Sequence, residues 1–213
     1  MFSVAQAEAW VRSTAAVIEE HAAALTKLDS AIGDGDHGTN MNRGFKAAVQ
    51  RLDGLEGDQD FGGLFKAVGM ALIGKVGGAS GPLYGTFFLR LGTAFGKAQT
   101  TDAAGLGTAL RAGLEGVVQR GKAAMDDKTM VDAMSPAVDA YDAASDGGIS
   151  AGLEAAASAA AEGRDRITPL VARKGRASYL GERAADHQDP GATSTTILFE
   201  SLRDAVAGAD RDI

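Results

Sequence analysis

Apolar residues recur at a helical spacing along nearly the whole chain, and this limits the folds open to it more than any other feature. Ser3 and Gln6 form a capping-box pattern, and Val4, Ala7, Trp10, Val11, Ala15, Val17 and Ile18 then follow at roughly three- to four-residue intervals, on to Leu25 and Leu28. Similar runs occupy about residues 42–53, 60–76, 82–98, 102–120, 128–144, 149–162 and 190–207. Pro82, Pro169 and Pro190 suit the first turns of helices, whereas Pro136 falls inside a run and predicts a kink or break there. Alternating strand-like segments are nearly absent. About eight helices joined by short Gly-rich loops predict an all-α fold, a bundle or helical barrel.

The chain has 213 residues, enough for one well-buried core, and it contains neither a linker nor an internal repeat; residues 1–213 are expected to form a single domain. It has no cysteine, which excludes disulfides and thiolate metal sites and fits a reducing compartment. The first residues lack a basic stretch followed by an apolar run, and no apolar stretch is long enough to span a bilayer. The expectation is a cytoplasmic protein with no membrane association. A net charge of −7 argues against nucleic acid as a main partner.

Chemistry concentrates in a few loops. In LDSAIGDGDHGTN, Asp29, Asp34 and Asp36 lie within eight residues, among glycines at 33, 35 and 38. Clustered carboxylates repel unless a cation sits between them. A hard cation held by three carboxylates keeps room for phosphate oxygens. A capping acidic turn is the simpler reading of a lone DxD; the third aspartate and the polar run His37, Thr39, Asn40 favour a metal site. KVGGASGPLYGTFF places Ser80 among Gly77, Gly78 and Gly81 at a helix start, a setting for an anion or for a tight turn. DHQDPGATST offers Asp189 as N-cap, Pro190 as first helical residue and Gly191 for close backbone approach. Just before it, ARKGRASYLGER carries Arg173, Lys174, Arg176 and Arg183. Such a cluster is commonly a solvated face, but Arg176 among small residues could pair with phosphate.

Several motifs are decoys. Gly33, Gly35 and Gly38 satisfy GxGxxG, but no strand precedes them and two aspartates interrupt them. GMALIGKV and GVVQRGKA have P-loop spacing with Val76 and Ala123 where Ser or Thr is needed. The acidic loop fails as an EF-hand at Gly38 and Phe45. The three histidines have no zinc spacing.

Together LDSAIGDGDHGTNMNRGF, VGGASGPLYGTFF, RGKAAMDDKTMVDA, ARKGRASYLGER and HQDPGATS resemble the nucleotide-binding L subunits of bacterial dihydroxyacetone kinases, in the same order and at near-equal spacing from about residue 4 to 205. The resemblance implies an antiparallel eight-helix barrel with ADP or ATP and two magnesium ions in the loops at one end. It assigns Asp29, Asp34 and Asp36 to the metal, and His37, Gly38, Thr39, Asn40, Ala79, Ser80, Gly121, Met130, Arg176, Asp189, Pro190 and Gly191 to the nucleotide, with Arg176 as charge stabiliser. The family commonly has GDAD where this chain reads GDGD, a change expected to be harmless. The implied activity is transfer of a phosphoryl group from Mg-bound nucleotide to dihydroxyacetone held on a separate K subunit. A phosphohistidine protein of the phosphotransferase system would recharge the nucleotide, and the lack of a K-like extension favours that multi-subunit form. The alternatives are an L subunit of an ATP-dependent kinase for dihydroxyacetone or a related small ketose or sugar alcohol, or a nucleotide-loaded module docking on a transcriptional regulator. Homodimerisation is a further expectation. The remaining alternative is a carrier of apolar ligands inside the barrel.

Overall fold

In the computed structural model, which describes residues 1–209, eight α-helices follow one another in a ring. They are α1 (Val4–Ile32), α2 (His37–Asp53), α3 (Phe61–Lys75), α4 (Ser80–Phe95), α5 (Ala103–Gly121), α6 (Val131–Ala144), α7 (Ile149–Arg166) and α8 (Pro190–Ala209). Each packs on its sequence neighbour and α8 returns to α1, with the α5–α6 seam the loosest. Sequence neighbours joined this way run antiparallel. The expected all-α architecture is therefore observed, with one addition. Phe2–Ser3 (β1) pairs antiparallel with Thr100–Thr101 (β2), and Val4 donates its amide to the Gln99 carbonyl at 3.0 Å, fastening the N-terminus to the α4–α5 connection.

The helix ends follow local chemistry. Ser3 and Gln6 form the expected reciprocal capping box of α1. Asp60 and Asp102 cap α3 and α5 through the amides of Gly63 and Gly105 at 2.7 and 2.8 Å. α2 begins five residues before the apolar run that announced it, because its first turn is polar and faces a site rather than the core. Of the prolines, Pro82 lies in the first turn of α4 and Pro190 opens α8, as expected. Pro169 instead sits in a turn after α7, where no helix follows.

Pro136 does not break its helix: α6 runs through it as one element. Proline removes the bond that would have gone to the Asp132 carbonyl. α7 passes so close there that a Cβ on Gly163 would overlap that oxygen, so glycine is what admits the neighbouring helix.

The interior is filled. Trp10, Phe65, Phe87 and Phe88 are buried with ring centres 5.3–6.4 Å apart where they meet, and the indole N–H of Trp10 donates to the Leu198 carbonyl at 2.8 Å. One apolar cluster draws on all eight helices, and the chamber that an apolar-ligand carrier would need is occupied by side chains. Among the described residues, no helix is long and apolar enough to cross a membrane.

Alternating direction has a consequence for chemistry. Every even-numbered helix starts at the same end of the ring: His37, Ser80, Val131 and Pro190 all lie there. The positive ends of four helices thus converge on one region.

Candidate functional site

A cavity of about 620 Å³ opens at this end, within the range of small-molecule and cofactor sites. Its walls come from the α1–α2 and α3–α4 loops, the end of α5, the 123–131 connection, the 3-10 segment Arg176–Ala184 and the start of α8.

At one side Asp29, Asp34 and Asp36 each present a carboxylate oxygen, all within 4.8 Å of one another. Asp29 is buried in the last turn of α1, and its Oδ2 accepts the amides of Asp36 and His37 at 2.8 and 3.0 Å. It therefore caps α2 from another helix while remaining part of the acidic cluster. Asp34 and Asp36 are exposed and make no capping bond. The chain reaches this arrangement by a turn, not an extended segment: Gly35 has φ +73°, and a Cβ there would lie 2.7 Å from Ser30 Oγ. Glycine at 35 is thus matched to a left-handed backbone and is not a neutral replacement for alanine. Arg176 reaches in from the 3-10 segment and places Nη2 2.9 Å from Asp34 Oδ2. Three carboxylates in a solvent-accessible cluster are a donor set for a hard, oxygen-seeking divalent cation.

Next to the carboxylates lie the starts of α2, α4 and α8. His37 is buried, with Nε2 2.9 Å from Ser194 Oγ and Nδ1 3.3 Å from Ser80 Oγ, so one imidazole ties together the starts of all three helices. Burial holds its pKa below the usual histidine value, against the pull of Asp29 and Asp36. The chain of bonds continues from Ser194 Oγ to the Tyr84 hydroxyl at 2.7 Å, and on to Thr195 Oγ1 at 2.9 Å. Burial raises the Tyr84 pKa, keeping the phenol protonated.

Asp189 caps α8 by accepting the Ala192 amide at 2.7 Å. Burial pushes its pKa up to about 7, against the lowering effects of the Ala192 amide and the Lys128 charge. The cavity wall also has an apolar part, with Leu83, Val117, Met130 and Val131 alongside Gly121. A Cβ on Gly121 would come within 3.1 Å of Leu83, so this glycine keeps the slot open.

The structure brings Asp29, Asp34, Asp36, His37, Asn40, Ala79, Ser80, Gly121, Met130, Arg176, Asp189, Pro190 and Gly191 to one cavity. Gly38 and Thr39 are not among its walls. Gly38 faces α1, where a Cβ would overlap the Ala22 carbonyl oxygen, and Thr39 is exposed. Sequence reasoning missed Leu83, Val117 and Lys128 on the wall, and Asp132 beneath it. Asp132 is fully buried and accepts the amides of Asp126 at 2.5 Å and Thr129 at 2.9 Å, fixing the loop that carries Met130. The signal for it was TMVD, the sequence pattern of a capping box, of which the structure forms only the bond from the Thr129 amide to Asp132. The hydroxyls behind His37 had no such signal.

Comparison with known proteins follows the same lines. The family model described as the DAK2 domain matches residues 31–204. The chain is 44% identical to the ADP-binding subunit DhaL of the PEP-dependent dihydroxyacetone kinase of Escherichia coli, over 91% of this chain and 92% of that one. It is 42% identical to a corresponding Listeria innocua subunit, over 91% and 92%. An L-erythrulose 1-kinase of Mycolicibacterium smegmatis is 33% identical over 87% of this chain, which spans 33% of that protein. Among solved structures, the dihydroxyacetone kinase of C. freundii in complex with AMP-PNP and Mg2+ superposes with a TM-score of 0.70 at 27% identity, covering 92% of this chain and 33% of that one. On the extent of the family match and the identity to full-length subunits, this chain belongs to the DAK2 domain family.

Proposed function

We propose that this chain is the ADP-carrying subunit of a phosphotransferase-dependent dihydroxyacetone kinase, working in the cytoplasm. The observation that carries this reading is the joining of three clustered carboxylates to converging helix N-termini and an apolar slot in one cavity. A nucleoside diphosphate needs these three features in this order: cation ligands, phosphate dipoles and a surface for the base.

Asp29, Asp34 and Asp36 would hold two magnesium ions, which when bound neutralise charge between phosphate oxygens. The starts of α2, α4 and α8 would orient the phosphates, and Arg176 would stabilise charge on the group in transit. Leu83, Val117, Gly121, Met130 and Val131 would enclose the base. His37 has both ring nitrogens engaged inside the protein, so it holds the loops together instead of moving a proton. This chain thus supplies positioning and electrostatics, and the acceptor, dihydroxyacetone, would be presented by a separate K subunit.

Identity is higher to the PEP-dependent subunits, 42–44%, than to the erythrulose kinases at 33%, which favours a phosphohistidine protein over free ATP as donor. The deciding assay combines the purified chain, its K partner and dihydroxyacetone, with either a phosphohistidine donor protein or ATP. The expected result is repeated turnover with the donor protein on one bound ADP. Turnover only with exchangeable ATP would move the chain to the ATP-dependent branch, and failure to bind ADP with magnesium would overturn the reading. Erythrulose in place of dihydroxyacetone tests the acceptor.

A further inference from the structure

Lys128 is 1% exposed, an unusual place for an ammonium group. Its Nζ donates to the carbonyls of Thr168 at 2.8 Å, Leu170 at 2.8 Å and Ala184 at 2.6 Å. These three bonds saturate its three donors, so the charge is buried without a hydrogen-bond deficit. Among the described residues no carboxylate is in contact with it, and its three acceptors are backbone carbonyls. Lys128 also adopts a left-handed backbone at φ +64°, a conformation that costs a non-glycine residue about 1–2 kcal/mol. Both the burial and the backbone strain have to be offset by what the three bonds hold in place.

What they hold is identifiable. Thr168 and Leu170 belong to the turn after α7, and Ala184 ends the 3-10 segment that begins at Arg176. The start of that segment is tied to the same loop, because the Arg173 amide donates to the Asp127 carbonyl at 3.0 Å. The loop in turn carries Thr129 and Met130 on the cavity wall and is pinned from below by Asp132. Both ends of the Arg176-bearing segment are therefore attached to the loop that lines the apolar slot. At the Ala184 end the attachment is made by one side chain, that of Lys128.

We infer that Lys128 is a positioning residue that couples the base-side loop to the Arg176 segment, so that occupation of the slot and placement of Arg176 over the phosphates are one event. The inference rests on the nucleotide reading above. Lys128 itself touches neither cation nor phosphate in this account.

Three facing carbonyls remain if the side chain is shortened, and they form a receptor for a small ammonium ion. The test measures Mg–ADP affinity by calorimetry for the wild type, Lys128→Ala, Arg176→Ala and the double variant, each with and without propylammonium chloride against a sodium chloride control. The expected results are a loss of at least tenfold for Lys128→Ala, partial recovery with propylammonium only, and little further loss when Lys128→Ala is added to Arg176→Ala. Lys128→Met, which fills the volume without donors, should lose affinity and stay insensitive to the amine; it also serves if the alanine variant does not fold. Full additivity with Arg176→Ala, equal response to both salts, or unchanged affinity in Lys128→Met would overturn the inference. Wild-type protein that does not bind Mg–ADP would instead overturn the function on which it rests.

Discussion

Replacing Asp34 by asparagine should reverse sign with the contents of the site. Asp34 lies within 4.8 Å of carboxylate oxygens from both Asp29 and Asp36. At that distance two unit charges repel by about 1 kcal/mol in a water-like medium, and salt reduces this further. Removing the Asp34 charge relieves two such repulsions and forfeits its pair with Arg176 at 2.9 Å. That pair is half-exposed and is worth about 0–1 kcal/mol. The metal-free Asp34→Asn protein should therefore be more stable than wild type by about 1 kcal/mol, or roughly 2–4 °C in Tm for a chain of this size. With magnesium and ADP the order inverts. Ligand at a hundredfold excess over Kd stabilises the wild type by about 2.7 kcal/mol, roughly 5–10 °C, and the variant should barely respond. Thermal unfolding in EDTA and in Mg–ADP reads both halves. A variant less stable than wild type in EDTA would show that the acids are structural partners and not a poised cation site. Equal stabilisation by Mg–ADP would show that Asp34 is no ligand.

Other perturbations test separate joints. Asp189 keeps its proton up to about pH 7, whereas in the unfolded chain it is lost near 3.8, so wild-type stability should fall as pH rises from about 4 to 7. Asp189→Asn keeps an acceptor for the Ala192 amide and should flatten that dependence, by up to about 4 kcal/mol across the window; parallel denaturation curves would contradict it. Gly38→Ala would drive a methyl into the Ala22 carbonyl and force α1 and α2 apart, costing about 1–3 kcal/mol in urea unfolding, and an unchanged midpoint would show that the helices give way without cost. Tyr84→Phe strands the Thr195 hydroxyl in a dry setting and leaves Ser194 only His37 and the Gly191 carbonyl, and should cost about 1–3 kcal/mol together with Mg–ADP affinity, through the His37–Ser80 link. Retention of both would mean the hydroxyl chain does not position the α4 start.

Much of this molecule is readable without coordinates, for reasons particular residues make plain. Helix existence follows from periodic burial: Trp10, Val11 and Ile18 point inward because the chain repeats every 3.6 residues. Helix ends are less legible where they serve the site. α2 starts at His37 on a polar turn capped by Asp29, a residue of another helix, and no local pattern encodes that cap. Pro136 misleads because its cost depends on what faces the orphaned Asp132 carbonyl, and only packing reveals Gly163 there. The carboxylate trio is legible since all three acids are close in sequence. Lys128 is not, since its acceptors lie 40–56 residues away and are backbone atoms of any sequence. Gly38 shows the opposite case, a motif glycine that packs against α1 and is not part of the cavity wall.

In the proposed function the acidic trio and the helix starts form one magnesium-dependent nucleotide site. Calorimetric titration of ADP into the wild-type chain, with magnesium and again with EDTA, addresses it most directly. The expected result is tight binding with magnesium and loss of at least a hundredfold in affinity without it. Equal ADP affinity under both conditions would contradict it.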